Sequence, residues 1–138
     1  MSQGRDSSGQ DSTGQNADRG YRVLIVDDNL PSAEMLSEIL ALEGHTVQMA
    51  HTGADALRIA PGFAPDVAVL DIGLPDQDGF ELARRLKADP ALTKVRLIAV
   101  SGYGQAQYPR RSKEAGFEHY LVKPVDLDKL LALIRALP

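Results

Sequence analysis

Residues 23–36 read VLIVDDNLPSAEML and join a buried-strand pattern to the start of a helix. Four aliphatic residues, Val23 to Val26, lead directly into two carboxylates, Asp27 and Asp28. A short, unbroken aliphatic run of this kind is typical of a strand that is buried on both faces. Two adjacent negative charges at the end of such a strand are unfavourable unless a cation or hydrogen bonds stabilise them. The pair therefore indicates a binding site at the end of the strand.

The same alternation of aliphatic runs and amphipathic segments continues to the end of the chain. The predicted strands are YRVLIVDD (21–28), HTVQMA (45–50), DVAVLDI (66–72), VRLIAVSG (95–102) and HYLVKP (119–124). The predicted helices are LPSAEMLSEILALEG (30–44), GADALRIA (53–60), DGFELARRLKAD (78–89), YPRRSKEAG (108–116) and DLDKLLALIRAL (126–137). Five strands that alternate with five helices predict an α/β fold, in which a parallel sheet is covered by helices on both faces.

Helix boundaries can be predicted from residues with special backbone preferences. Pro31 suits the first turn of the first helix, and Gly44 suits the position just past its end. The pair Pro61-Gly62 predicts the end of the second helix. Asp78 is predicted to be the N-cap of the third helix.

Length and composition predict one folded domain. The chain has 138 residues, of which 43% are hydrophobic, enough for one core and too few for two sizeable domains. Residues 1–20 contain only Met1 and Ala17 as apolar residues, so they cannot bury enough surface to offset the entropy of ordering. We therefore predict a disordered tail over residues 1–20 and a single domain over residues 21–138.

Charge and hydropathy exclude several other classes of protein. The net charge of −4 argues against a general nucleic-acid binder, and the absence of Cys excludes disulfides and thiolate metal sites. No apolar run approaches the roughly 18 residues that a membrane span requires, and no signal-peptide pattern begins the chain. The sequence therefore predicts a cytoplasmic protein that binds neither nucleic acid nor membrane.

Polar residues stand at the carboxyl ends of the predicted strands. Besides Asp27 and Asp28, these are Asp71 after the third strand, Ser101 after the fourth and Lys123 after the fifth. The carboxyl ends of parallel strands share one edge of the sheet, where ligands bind in folds of this class. We therefore expect these five side chains to converge on one site.

Three converging carboxylates require a cation. Each like-charged pair at about 5 Å costs roughly 3 kcal/mol at an effective dielectric constant of about 20. Hard oxygen ligands at this density suit Mg²⁺, which prefers one or two carboxylates together with a phosphate. Lys123 would add a positive charge, and the Ser101 hydroxyl could bind a phosphoryl oxygen. The set predicts a site for phosphoryl transfer, in which Asp71, on the central strand, is the nucleophile.

The motifs VDDN, LDIGLPDQDGFEL, VSGYG and LVKPVD, in this order, resemble those of receiver domains of bacterial two-component response regulators. The resemblance covers about residues 21 to 137. The run SGYGQ…AGFEHYLVKPVD is especially similar to receivers of hybrid histidine kinases. The family implies a flavodoxin-like fold with strand order 2-1-3-4-5.

The resemblance implies a role for each matching residue. Asp71 matches the phosphorylated aspartate, Asp28 a direct Mg²⁺ ligand, and Asp27 an acid that acts largely through metal-bound water. Gly73 matches a position whose backbone carbonyl binds the metal. The remaining matches are the switch hydroxyl (Ser101), the phosphate-binding lysine (Lys123) and the rotating aromatic residue (Tyr120).

The resemblance also implies partners. A histidine kinase or histidine phosphotransfer protein would supply the phosphoryl group, and a downstream protein would bind the face formed by the fourth helix, fifth strand and fifth helix. We expect a monomer or weak dimer without an output domain, which catalyses only its own phosphotransfer and dephosphorylation.

His45, His51 and His119 are predicted to lie at the surface or at strand edges, away from the acidic cluster.

Two other functions are compatible with parts of the pattern. A Mg²⁺-dependent aspartyl-phosphate hydrolase of the haloacid-dehalogenase type would need a second acid two residues after its nucleophile, where this chain has Gly73. A flavodoxin-like flavin protein would need a phosphate-binding loop after the first strand, where this chain has the acidic DDNLPSA (27–33).

Overall fold

The computed structural model describes residues 20–102 and 113–137. Five strands form one parallel sheet in the order β2-β1-β3-β4-β5. They are β1 (Arg22–Val26), β2 (Thr46–Ala50), β3 (Val67–Asp71), β4 (Arg96–Ser101) and β5 (Phe117–Val122). The flavodoxin-like α/β fold and its predicted strand order are therefore confirmed.

Four α-helices and one short 3₁₀ helix lie wholly within the described residues. They are α1 (Leu30–Leu42), α2 (Gly53–Phe63), α3 (Gly79–Ala88), the 3₁₀ helix (Pro90–Leu92) and α4 (Leu127–Arg135). Five α-helices were predicted, so the predicted number exceeds the number found in this part of the chain. The helix expected over 108–116 falls mostly on residues 103–112, and the expected tail falls almost entirely on residues 1–19; both stretches lie outside the described residues.

Alternate residues of the buried strands pack into two cores, one on each face of the sheet. In β1, Leu24 and Val26 contact the core beneath α2 and α3, whereas Val23 and Ile25 contact the core beneath α1 and α4. All five residues of β3 are buried. The central strands are therefore covered on both sides, which explains why their sequences are continuously apolar.

Local sequence accounts for most helix boundaries. Asn29 caps α1 by accepting a hydrogen bond from the Ser32 amide, and Gly44 follows the helix with a φ of 96°. Asp78 caps α3 as predicted, since its side chain accepts a hydrogen bond from the Phe80 amide.

The predicted end of the second helix at Pro61-Gly62 is wrong. Helix α2 continues to Phe63, whose side chain is buried, and closes with a hydrogen bond of 2.8 Å from the Ala64 amide to the Ala60 carbonyl. Ala64 adopts the left-handed conformation that terminates many helices. Packing of Phe63 in the core thus outweighs the local preference of Pro61 against continuing the helix.

His45 is buried, although a surface or strand-edge position was predicted. Its Nδ1 accepts a hydrogen bond of 3.0 Å from the Tyr21 amide, and the two rings lie 5.8 Å apart. The Tyr21 hydroxyl donates in turn to the carbonyl of Leu137. This contact links the beginning and the end of the folded domain at the sheet edge opposite the acidic residues.

None of the helices among the described residues combines the length and the apolar character that crossing a membrane requires.

Candidate functional site

The carboxyl ends of β1 and β3 bring three carboxylates together. The two strands are neighbours, with Val26 opposite Leu70, so the residues that follow lie side by side. Carboxylate oxygens of Asp27, Asp28 and Asp71 all lie within 4.8 Å of one another. Asp71 is buried, Asp27 is half-buried and Asp28 is exposed. The cluster thus opens to solvent on the side of Asp28.

Both carboxylate oxygens of Asp71 accept hydrogen bonds. The Gly73 amide donates to Oδ1 at 2.9 Å, and the Lys123 ammonium donates to Oδ2 at 2.9 Å. Lys123 also lies 3.9 Å from Oδ1 of Asp27. This lysine therefore bridges two of the three acids and partly offsets their mutual repulsion.

The pKa values of Asp27 and Lys123 are both shifted from their ordinary values in this site. Burial raises the pKa of the Asp27 carboxyl, and the charge of Asp71 raises it further, against the lowering effects of the Asn29 amide and Lys123. Burial lowers the pKa of Lys123, but the hydrogen bond and charge of Asp71, together with Asp27 and Asp28, raise it above its ordinary value. Lys123 therefore carries a positive charge at neutral pH.

The donor set of the cluster fits a small divalent cation. Asp27, Asp28 and Asp71 supply carboxylate oxygens, which are hard ligands of the kind that Mg²⁺ prefers. Asp28 is exposed, so water molecules could complete the coordination. Gly73 is exposed beside the cluster, and its amide is bound to Asp71.

Ser101 ends β4 and is completely buried. Its hydroxyl has no hydrogen-bond partner among the described residues. A buried hydroxyl without a partner is uncommon in folded proteins, because its desolvation is not compensated. Since β4 pairs with β3 through Val100 and Asp71, this hydroxyl lies at the same edge of the sheet as the carboxylates and could bind a ligand oxygen there.

Tyr120 lies in β5 opposite Ala99 and packs, partly buried, against the core beneath α2 and α3. It precedes Lys123 by three residues, so a movement of the carboxyl end of β5 would affect both. The structure therefore positions Tyr120 next to the strand that carries Ser101, as predicted.

A cavity of about 210 Å³ adjoins the cluster on the side of α1. Asp27, Asp71 and Lys123 line its charged wall. Most of the remaining wall is apolar and includes Met35 and Leu127.

The contact of His51 with a residue of the acidic cluster was not predicted from the sequence. His51 follows β2 at the same sheet edge, and its Nδ1 lies 3.2 Å from the backbone carbonyl oxygen of Asp27. The prediction that no histidine accompanies the acidic cluster is therefore wrong. His51 directly follows the predicted strand over residues 45–50, and this position could have indicated that it lies at the same sheet edge as the acids. Asn29 was also missed: its amide donates to Oδ1 of Asp27 at 2.9 Å.

Comparison with known proteins agrees with this geometry. Residues 23–135 match the family model described as the response regulator receiver domain. A relative from Synechocystis, described as the DNA-binding dual master transcriptional regulator RpaA, is 34% identical over 116 residues. That match covers 84% of this chain and 48% of the relative. The chain spans about half the length of the curated relatives that it matches.

Solved structures give the same result. The crystal structure of a CheY-like receiver domain protein from Methanospirillum hungatei aligns with a TM-score of 0.77 and 32% identity, covering 84% of this chain and 91% of that one. A response regulator protein from Burkholderia pseudomallei, solved with a phosphorylated aspartic acid, calcium ion and citrate, aligns with a TM-score of 0.75 and 26% identity. That alignment covers 81% of this chain and 65% of the other. This chain belongs to the response regulator receiver domain family.

Proposed function

We propose that this receiver domain accepts a phosphoryl group on Asp71 from a partner's phosphohistidine and signals the change through its surface. The observation that carries the proposal is the pairing of Asp71 with Lys123 inside a cluster of three carboxylates. A structural ion pair would need only one acid. The two further acids make the site suited to a divalent cation and a phosphoryl group.

The transfer needs little chemistry beyond positioning and charge neutralisation. A carboxylate oxygen of Asp71 attacks phosphorus, the bond between phosphorus and the donor's imidazole nitrogen breaks, and the imidazole leaves with its electron pair. Lys123 moves from the carboxylate to a phosphoryl oxygen, and the buried hydroxyl of Ser101, which has no partner among residues 20–102 and 113–137, donates to another. Mg²⁺ held by Asp27, Asp28 and Asp71, with the Gly73 carbonyl, would neutralise the negative charge that accumulates during transfer.

The signal leaves the site through Ser101 and Tyr120. When the Ser101 hydroxyl binds the phosphoryl group, the carboxyl end of β4 is drawn toward Asp71, and Tyr120 moves inward from its partly buried position. The face that includes β5 and α4 then changes shape, and a downstream protein reads the change. We expect the domain to work in the cytoplasm as a monomer or weak dimer.

Two observations on similar proteins support the proposal. The Burkholderia response regulator is described with a phosphorylated aspartic acid and a calcium ion, which is the chemistry proposed here for Asp71. The Synechocystis relative is described as DNA-binding, but this chain matches only 48% of it and has a net charge of −4. We therefore propose that the receiver itself acts through protein contact rather than through DNA.

Labelling with acetyl phosphate distinguishes this function from that of a phosphatase. The intact mass of the protein should increase by one phosphoryl group in the presence of Mg²⁺ and remain unchanged with EDTA. The same preparation should be colourless and should not hydrolyse aryl phosphates with turnover. Rapid multiple turnover without an accumulating adduct would instead identify a Mg²⁺-dependent aspartyl-phosphate hydrolase.

A further inference from the structure

The loop that follows Asp71 is attached to the beginning of α2. The carboxylate of Asp76 accepts hydrogen bonds from the amides of Gly53, at 2.9 Å, and Ala54, at 3.1 Å. These are the first two amides of α2, which have no partner within the helix. The third amide, that of Asp55, is bound by the Thr52 side chain. The first three amides of α2 are thus bound by two different residues, Asp76 of the loop and the N-cap residue Thr52.

The loop after β3 and the start of α2 are also in van der Waals contact. A Cβ atom on Gly53 would lie 2.5 Å from the Gln77 side chain, so the two segments are in direct contact. The amides of Gly53 and Ala54 lower the pKa of Asp76, so its carboxylate remains charged over the neutral pH range. Consecutive loop residues, Asp76 and Gln77, therefore dock on one position of α2.

The segment before α2 also contacts the other acidic loop. His51 lies 3.2 Å from the carbonyl oxygen of Asp27, and the Asp27 amide donates to the Ala50 carbonyl at 3.0 Å. The connection from β2 to α2 supplies no acid to the cluster, yet it touches the loop after β1 and the loop after β3. It is placed to hold both loops at a fixed separation.

We propose that Asp76 is a positioning residue for the phosphoryl-transfer site: by binding the first amides of α2, it fixes the loop that contains Gly73 and so preorganises the carboxylate cluster for Mg²⁺. This inference rests on the proposed function. Without the attachment, the loop samples more conformations, and the fraction that can bind the metal decreases. The apparent affinity for Mg²⁺ falls by the same factor.

Substitutions of Asp76 and Thr52, which both bind amides at the start of α2, separate the positioning of the loop from the stability of the helix. Asp76→Ala removes the attachment of the loop, whereas Thr52→Ala removes the N-cap bond to Asp55 and leaves the loop bound. Both should lower Tm. Only Asp76→Ala should weaken Mg²⁺ binding, by about tenfold, as do changes to groups that orient metal ligands. Asp76→Asn keeps one acceptor oxygen and should give an Mg²⁺ affinity between those of the wild type and Asp76→Ala. This variant also tests the inference if Asp76→Ala does not fold.

The measurements are Mg²⁺ titration by calorimetry, Tm, and the rate of labelling by acetyl phosphate at low and saturating Mg²⁺. For Asp76→Ala, we expect slow labelling at low Mg²⁺ that recovers at saturation. Wild-type affinity in both Asp76 variants would overturn the inference, as would an equal loss of affinity in Thr52→Ala. If the wild type neither binds Mg²⁺ nor becomes labelled, the proposed function itself fails and the inference fails with it.

Discussion

Lys123 and Asp71 are 52 residues apart in the sequence, and their side chains form a hydrogen bond of 2.9 Å between Nζ and Oδ2. Lys123 follows the edge strand β5, whereas Asp71 ends the central strand β3, and β4 lies between them. The lysine therefore reaches across one strand to the acid. In the absence of a metal, this ammonium group is the cation that makes a buried carboxylate tolerable at the end of β3.

Removing the charge of Lys123 should strengthen Mg²⁺ binding. In Lys123→Gln the cluster loses its own cation, and the metal no longer meets a neighbouring positive charge. We expect a lower Tm without metal and an affinity for Mg²⁺ that is about tenfold higher, equivalent to about 1.4 kcal/mol. Thermal unfolding at a series of Mg²⁺ concentrations measures both. Weaker binding in the variant would mean that Lys123 supports the metal rather than competing with it.

Removing Asp28 should abolish the stabilisation by Mg²⁺. The metal stabilises the fold only if it binds the folded state, so Tm should increase with Mg²⁺ in the wild type and remain constant in Asp28→Ala. Glu38→Ala is a suitable control, because it removes one exposed negative charge from α1, away from the cluster. A wild-type increase in Asp28→Ala would place the metal elsewhere.

Ser101→Ala should separate phosphorylation from the conformational response. Its hydroxyl is buried and has no hydrogen-bond partner in the part of the chain that the structure describes, so the substitution should leave the free energy of unfolding unchanged or slightly higher. Asp71 should still be labelled. A hydrogen bond to a charged group contributes roughly 1.5–3 kcal/mol, which is a shift of about tenfold to hundredfold between the two states.

The response is best followed through the ring signals of Tyr120 by NMR. They should change on phosphorylation of the wild type and of Ser101→Thr, which keeps the hydroxyl, but change little in Ser101→Ala. A full Tyr120 response in Ser101→Ala would show that the signal leaves the site by another route.

The stability of the domain should decrease as pH falls through the titration of His45. Burial lowers the pKa of His45 below its ordinary value of 6.5, with Glu43 raising it and Arg135 lowering it. Below pH 6.5 the unfolded chain therefore binds more protons than the folded one, so stability decreases as pH falls toward the folded-state pKa. Protonation of Nδ1 would also remove the acceptor for the Tyr21 amide.

Chemical denaturation between about pH 8 and about pH 5 measures this dependence. His45→Gln can offer an amide oxygen to Tyr21 without titrating in this range, so its stability should vary less with pH than that of the wild type. An identical pH dependence in the two proteins would exclude His45 as the origin.

The sequence was sufficient for features that depend on local pattern and parallel topology. Continuous aliphatic runs such as residues 67–70 of β3 predicted the buried strands, and the shared edge of parallel strands predicted that Asp27, Asp28 and Asp71 converge. Features decided by tertiary packing were not predictable in this way. Helix α2 passes Pro61 because Phe63 is buried on a surface that other segments provide.

The same limit applies to side chains that act across the fold. The burial of His45 depends on Tyr21 and Leu137, and the attachment of Asp76 depends on amides 22 and 23 residues away. Neither the burial of His45 nor the attachment of Asp76 is indicated by periodicity or by a motif in the surrounding sequence. The roles of Ser101 and Tyr120 stay predictions, because they concern a phosphorylated state.

Locating the phosphoryl group on the chain tests the central claim most directly. After reaction with acetyl phosphate and Mg²⁺, borohydride converts an aspartyl phosphate to homoserine, which peptide mass spectrometry can assign to a residue. The account predicts homoserine at position 71 alone and no labelling of Asp71→Asn. Homoserine at Asp27 or Asp28 in the wild-type protein, or labelling of Asp71→Asn at the wild-type rate, would contradict it.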